Sequence, residues 1–290
     1  MAERSAIIGF GEAAQAFVGA ERWALPVRAY DRLTDEPATR ASKLADYARL
    51  NVEAADRLAG AIDGAGLILS LVTADQALAV ATAATTLPSG SIYCDMNSVA
   101  PATKIAAAAA VEGRSGRYVD VAIMSPVNPA RLNVPLLLSG PAAIEAELKL
   151  RAAGFCNCRV IGNRVGQAAA VKMIRSVIVK GIEALTAEAM LAAELADVTQ
   201  EVLASLDATE RAVPWAERAD YNLERMMLHG IRRAEEMNQA VRTLEALGIE
   251  PLLTRVTAQR QREMGLKRVH PLPGLGAKLA QLRSAKAVAA

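Results

Sequence analysis

Aromatic residues are scarce in this chain: three Phe, two Trp and five Tyr make up 3% of its 290 residues. Base-stacking platforms for single-stranded nucleic acid need runs of aromatic faces, which so few rings cannot supply. An excess of one charge is also missing. Thirty-three Lys and Arg stand against 31 Asp and Glu, for a formal net charge of +2. That balance gives no electrostatic case for nucleic acid or a membrane surface as a partner. No apolar run reaches the roughly 18 residues that a membrane span needs. Cysteine is limited to Cys94, Cys156 and Cys158. An odd, sparse set, with no basic-then-apolar leader in residues 1–10, sets the expectation of a cytoplasmic protein with reduced thiols. Cys156 and Cys158 have no third ligand nearby where zinc wants four, so no metal site is expected.

What the chain has in abundance is Ala and aliphatic residues. Hydrophobic residues make up 52% and charged residues 22%. Such a chain can bury a sizeable, helix-rich core in one large or two medium domains. The first 160 residues alternate short apolar runs with helical patterns. Strands are expected at 6–8, 27–30, 67–72, 91–95, 118–123, 135–138 and 159–161, with a weaker one near 50–52. Helices are expected at 12–23, 75–86 and 101–112. Apolar strands separated by helices indicate an α/β fold with a doubly wound, mainly parallel sheet. After Gly166 the pattern becomes helical, with Val171, Ile174, Ile178, Ile182 and Leu185 at helical spacing in one long helix over 167–206. Further helices are expected at 223–247 and 254–264, then a loop at 271–276 and a fraying basic tail.

One motif carries specific chemistry. Gly9-Phe10-Gly11-Glu12-Ala13-Ala14 follows a strand and opens a helix, and it fits the G-x-G-x-x-G/A form of a dinucleotide-binding turn. Gly9 makes the tight turn, Gly11 admits a pyrophosphate close to the backbone, and Ala14 lets helix pack on strand. The helix N-terminus favours the phosphates, and Glu12 must point away from them. Asp31 ends the next strand, where a carboxylate accepts from ribose hydroxyls and so leans towards NAD. Arg32 beside it can hold a 2′-phosphate and keeps NADP open. Val72 and Thr73 end the fourth strand, at the carboxyl edge where ligands of such sheets pass, and Asn97 is expected near the nicotinamide amide for the same reason.

Four stretches, in order, resemble the β-hydroxyacid dehydrogenase and 6-phosphogluconate dehydrogenase family. They are the glycine motif, Asp95-Met96-Asn97-Ser98 with Pro101, the run Asp120 to Val127 containing Met124-Ser125-Pro126, and the run Gly166 to Ser176. The resemblance implies a Rossmann domain over 1–163 and an all-helical substrate and dimerisation domain over 164–290. It places Lys172 on the family's catalytic lysine and puts Asn97, Ser98, Met124, Ser125 and Ser176 around the substrate. Two departures stand out: Ser176 replaces the usual Asn, and Met124-Ser125-Pro126 replaces Ser-Gly-Gly, which brings fewer backbone amides near a substrate carboxylate. In relatives a Lys-Asp pair on a later helix reaches the active site, where this chain has Glu235 and Glu236.

Chemistry independent of the resemblance supports the lysine. Oxidising a secondary alcohol with a nicotinamide requires removal of the hydroxyl proton as hydride leaves. Lys172 lies in an Ala/Val/Ile run, where desolvation favours a neutral amine. Arg175 and Ser176 follow at i+3 and i+4 on the same helix face. Spacing alone favours a snorkelling surface lysine, and the resemblance is what turns the reading towards catalysis. His229 and Arg232, also i and i+3, form a candidate substrate clamp or a solvent-facing or intersubunit pair. The resulting expectation is an NAD(P)-dependent dehydrogenase or reductase of a small hydroxylated, anionic substrate, acting as a homodimer because the 167–206 helix is apolar on more than one face. Alternatives are an imine-reductase-type enzyme, in which a lysine at 172 is not expected, and a dinucleotide-sensing protein without turnover.

Overall fold

The structure, a computed structural model, describes residues 4–195, 197–209, 213–246 and 250–284. It divides into two units, one up to Lys172 and one from Met173 on. The division falls nine residues beyond the expected boundary, inside a helix.

Eight strands form the sheet of the first unit: β1 (Arg4–Ile8), β2 (Val27–Tyr30), β3 (Glu53–Ala54), β4 (Ala65–Ser70), β5 (Ile92–Asp95), β6 (Arg117–Ile123), β7 (Leu136–Ser139) and β8 (Cys158–Gly162). Their order is β3-β2-β1-β4-β5-β6-β7-β8. Every pairing is parallel except that of β6 with β7, which is antiparallel. The direction of strand addition therefore reverses between β1 and β4, and the crevice at their carboxyl ends is where such sheets bind ligands.

Helices cover both faces, because alternate residues of each buried strand point to opposite sides. Ile7 joins one core with Phe17, Tyr47, Leu150 and Phe155, contributed around α1 (Glu12–Val18), α2 (Pro37–Arg49) and α6 (Ala143–Ala153). Its neighbours Ala6 and Ile8 join another with Ile62, Ala81, Ala107 and Val111, beneath α3 (Leu58–Ile62), α4 (Ala77–Ala83) and α5 (Pro101–Glu112).

Several sequence expectations are corrected. Residues 50–52 close α2 instead of forming a strand: Asn51 adopts φ 53°, and the Val52 amide donates to the Tyr47 carbonyl. The edge strand follows as the short, exposed β3. α1 ends at Gly19, not near residue 23. α2, α3 and α6 had no counterpart among the expected helices.

The second unit is helical: the greater part of α7 (Gln167–Leu195), then α8 (Thr199–Thr209), α9 (Trp215–Ala246), α10 (Leu252–Leu266) and α11 (Leu275–Ser284). The single helix expected over 167–206 is two. Asp197 takes a left-handed conformation at φ 57°, and the Val198 amide donates back to the Ala193 carbonyl, which closes the first helix as a C-cap does. α9 starts eight residues before the expected 223, and residue 247, its expected end, lies outside the described residues. α11 takes the place of a fraying tail. α9 and α10 cross in backbone contact: a Cβ on Gly230 would stand 2.2 Å from the Gln261 carbonyl oxygen. Among the described residues no helix is long and apolar enough to cross a membrane, and no cluster of His, Cys, Asp and Glu is arranged to hold a metal ion.

Candidate active site

The glycine turn sits at the sheet's switch point. Gly9 has φ +84°, and a Cβ there would lie 2.4 Å from the Leu71 carbonyl oxygen, so only glycine lets β1 and β4 end side by side. Gly11 caps α1, and a Cβ there would meet no atom within 4 Å, which leaves the backbone open to a ligand. Ala14 is fully buried against the sheet. The other motif residues turn away. Phe10 packs its ring on Tyr47 at 4.8 Å, and Ala13 lies against the same core. Glu12 is exposed and accepts a hydrogen bond from Asn128 Nδ2 at 3.4 Å. A tight turn with an open backbone beside it fits a dinucleotide diphosphate.

Asp31 is more committed than expected. Its Oδ2 accepts from the Phe10 amide at 2.7 Å and its Oδ1 from the Leu33 amide at 3.0 Å. Lys43 Nζ lies 3.7 Å from Oδ2 and also donates to the Phe10 carbonyl at 2.9 Å. The carboxylate thus braces the glycine turn and pairs with a lysine. Arg32 is exposed in the turn that follows. Thr73 is exposed too and bonds Asp75, whose carboxyl is held below its usual range by Gln76 and Thr73, with a smaller electrostatic contribution from Arg32. Arg32, Thr73 and Asp75 therefore gather beside the same end of the crevice.

The other end is built from β5 and the start of α7. Lys172, half-buried, donates a hydrogen bond from Nζ to Ser98 Oγ. The sequence reading placed both residues in the site, and the fold joins them across 74 positions. Asn97, expected beside a nicotinamide amide, joins strand ends. Its Oδ1 accepts from the Val72 amide at 2.7 Å, and its Nδ2 donates to Ser70 Oγ at 3.0 Å. Met124 packs beside Ala122, Leu137 and Ala168, while Ser125 is exposed and bonds only locally to the Pro126 carbonyl among the contacts seen.

The remaining candidates belong to the second unit. Ser176 is buried and accepts from Lys180 Nζ at 3.4 Å. Glu236 pairs with both Lys180 (2.9 Å) and Arg232 (2.6 Å), which gives Arg232 a partner on its own helix. Glu235 pairs with Arg262, Arg175 is exposed and His229 is half-buried.

Sequence reasoning passed over a buried polar network behind the Lys172–Ser98 pair. Lys104 Nζ donates to the Asp95 carbonyl (2.6 Å) and Oδ1 (2.9 Å) and lies 3.4 Å from Asp120 Oδ1. Tyr118 donates its hydroxyl to Asp95 Oδ2 at 2.6 Å. Burial, reinforced by Asp95, raises the Tyr118 pKa well above the usual phenol range and keeps that donor proton in place. The available signal was a carboxylate flanked by Val119 and Val121 inside an apolar strand, where an ionised group needs partners.

The chain is similar to several known proteins. A family described as a domain of unknown function, DUF1932, matches residues 193–264. A conserved hypothetical protein from Sinorhizobium meliloti is 37% identical, with 97% of this chain and 96% of that one covered at a TM-score of 0.75. The conserved protein MTH1747, described as structurally similar to 3-hydroxyacid dehydrogenases, is 29% identical over 90% of this chain and 96% of its own, with a TM-score of 0.69. A 3-hydroxyisobutyrate dehydrogenase from Mycobacterium tuberculosis shares the fold, with a TM-score of 0.73 at 15% identity over 98% of this chain and all of its own.

Proposed function

The chain belongs to the 3-hydroxyacid dehydrogenase-like family of NAD(P)-binding proteins, and from that premise we propose that it is an NAD(P)-dependent dehydrogenase or reductase of a small hydroxylated, anionic substrate. The observation that carries this reading is the hydrogen bond between Lys172 and Ser98, at the carboxyl edge of the sheet that also holds the glycine turn. The anionic character of the substrate follows the names of the hydroxyacid dehydrogenases that share the fold.

A nicotinamide, when bound, supplies the hydride acceptor or donor. The rest falls to the chain. Gly9 and Gly11 give the diphosphate an open backbone, and Asp31 with Lys43 keeps that turn in shape. Lys172, as the free amine, takes the hydroxyl proton while the carbinol carbon loses its hydride, and as ammonium it returns the proton in the reverse direction. Ser98 fixes the amine and offers the substrate oxygen a second polar contact. Asp31 is already engaged by two amides and a lysine, and Arg32 stands exposed beside it. These contacts favour the 2′-phosphate of NADP over the bare ribose of NAD.

The test is a panel of hydroxy acids, polyols and cyclic imines with both nicotinamides, followed by absorbance of the reduced cofactor. Lys172→Ala is expected to lower kcat for the hydroxy substrate by about 10²–10⁴-fold, the usual share of a general acid/base, with cofactor affinity unchanged. Turnover of imines alone, insensitive to position 172, would instead support the imine-reductase reading. Cofactor binding without turnover would support a sensing role.

We also propose a homodimer. Ile174, Ile178 and Ile182 are exposed along one stripe of α7, with 46%, 66% and 41% of their surface accessible, and a stripe of this kind is normally covered. Sedimentation should give twice the chain mass for the wild type and a monomer for Ile178→Asp. A wild-type monomer at micromolar concentration would refute it.

A further inference from the structure

Lys172 and Ser98 sit on separate pieces of backbone, and each piece is tied to one of the two buried carboxylates that face Lys104. Ser98 rides on the turn after β5. Asp95 holds that turn by accepting from the Asn97 amide at 2.9 Å, and Asn97 in turn grips Val72 and Ser70. Lys172 rides on the second turn of α7. Asp120 Oδ2 holds the start of that helix, accepting from the Gly166 amide at 3.1 Å, the Ala169 amide at 2.9 Å and the Ser139 hydroxyl at 3.1 Å. Ser139 Oγ itself accepts from the Ala168 amide at 3.0 Å. Lys104, 1% exposed, places its ammonium between the two carboxylates, themselves fully buried. We propose that the Asp95–Lys104–Asp120 triad is the positioning device that sets the Lys172 amine against the Ser98 hydroxyl.

Each carboxylate gives one oxygen to backbone amides at the root of one partner, Oδ1 of Asp95 and Oδ2 of Asp120, and the lysine fixes the distance between the two roots. A charge in this place is costly unless fully partnered. A packed Leu or Met in each position would fill the volume without holding any amide. The arrangement suits orientation, because charge-assisted bonds to several backbone amides leave little slack.

This inference rests on the proposed role of Lys172, and its test has a readout that needs no turnover. Competitive acetylation of the folded protein, read by mass spectrometry, reports how freely the Lys172 amine moves and reacts. Ser98→Ala removes the hydroxyl directly and is expected to raise Lys172 labelling by about fivefold or more relative to surface lysines. Asp120→Asn, which keeps the shape but loses the charge, is expected to raise it similarly while near-ultraviolet dichroism stays native. Ser139→Ala serves as the milder variant should Asp120→Asn fail to fold. In turnover, Asp120→Asn should lower kcat by about tenfold with cofactor Kd unchanged. It should cost nothing further in the Lys172→Ala background, whereas a merely structural defect would multiply through. Raised labelling in Ser98→Ala but not in Asp120→Asn or Ser139→Ala would overturn the proposal and leave the Lys172–Ser98 pair intact. No change in any variant would overturn the pair and the proposal together. Labelling as expected in a protein that never consumes NAD(P)H would uphold the positioning role and sink only the dehydrogenase reading.

Discussion

Both units bury charge, but they aim it differently. In the first, besides the side-chain contacts of Lys104 and Tyr118 with the buried carboxylates, the groups address backbone: Asp31 takes the Phe10 and Leu33 amides, Asp95 the Asn97 amide, Asp120 those of Gly166 and Ala169, and Asn97 that of Val72. Every one of these bonds fixes a loop or helix start at the carboxyl edge of the sheet. In the second unit the buried groups address one another. Arg233 Nη2 donates to both carboxylate oxygens of Glu183, Gln261 donates to Glu183 at 3.1 Å, and Lys180 meets Glu236. Those bonds join α7, α9 and α10 side by side. Backbone-directed polar groups define where a loop stands, while side-chain pairs define how helices register. The first arrangement is what a reaction site needs, and the second is what a bundle needs.

The largest effect that would break this contrast is on Arg233. Burial pushes its pKa down, opposed by Glu183, which faces the guanidinium and offsets the cost of burying its charge. Arg233→Met would strand Glu183, 3% exposed, and should cost about 3–5 kcal/mol in urea unfolding of the second unit, the usual penalty for an orphaned buried charge. Adding Glu183→Leu should recover most of that loss, since apolar replacement of both partners is often neutral. Failure of the double variant to recover would mean that the pair also fixes backbone, and the contrast between units would fall.

A smaller effect sharpens the same point from the packing side. At the α9–α10 crossing a methyl group on Gly230 would press into the Gln261 carbonyl and the Gly265 amide, both rigid backbone. Gly230→Ala should therefore destabilise the second unit by about 1–3 kcal/mol, in the range for overpacking. The gain that alanine ordinarily brings inside a helix is too small to offset it. An unchanged or raised midpoint in denaturant would show that the helices can separate, and that the side-chain pairs do not depend on their close approach.

How much of this was legible before the structure follows from the same division. Gly9, Gly11 and the apolar strands were readable because positive φ, close approach and two-faced burial each restrict the residue type. The α/β order came with them, while Lys172 and Ser98 were singled out by the family resemblance. The end of α7 was not readable, because Asp197 turns left-handed without the glycine or proline that usually marks a break. α6 was missed because its apolar spacing is weak, and two of its aliphatic residues, Ile144 and Leu148, are exposed. The contacts of Asp31, Asn97 and Asp120 were hidden for a different reason. A side chain that bonds an amide 21, 25 or 46 positions away leaves no periodic trace in sequence. Lys104 read as one polar residue on an Ala-rich helix.

The smallest expected effect concerns Asp31 and Arg32, adjacent residues with opposite assignments. Asp31 belongs with the backbone-directed groups, since each of its carboxylate oxygens accepts from an amide and only 9% of its surface is exposed. Arg32 next to it is exposed, and no backbone contact of its side chain is seen. If Asp31 serves the turn and Arg32 serves the ligand, Arg32→Ala should weaken NADPH binding by about tenfold, or roughly 1.4 kcal/mol, and leave NADH binding where it was. Fluorescence titration of the reduced cofactors measures both. Equal weakening of the two would mean that Arg32 holds the turn as Asp31 does. A preference for NADH in the wild type would mean that the braced carboxylate still has room for a ribose diol, which a carboxylate with about four acceptor sites allows in principle.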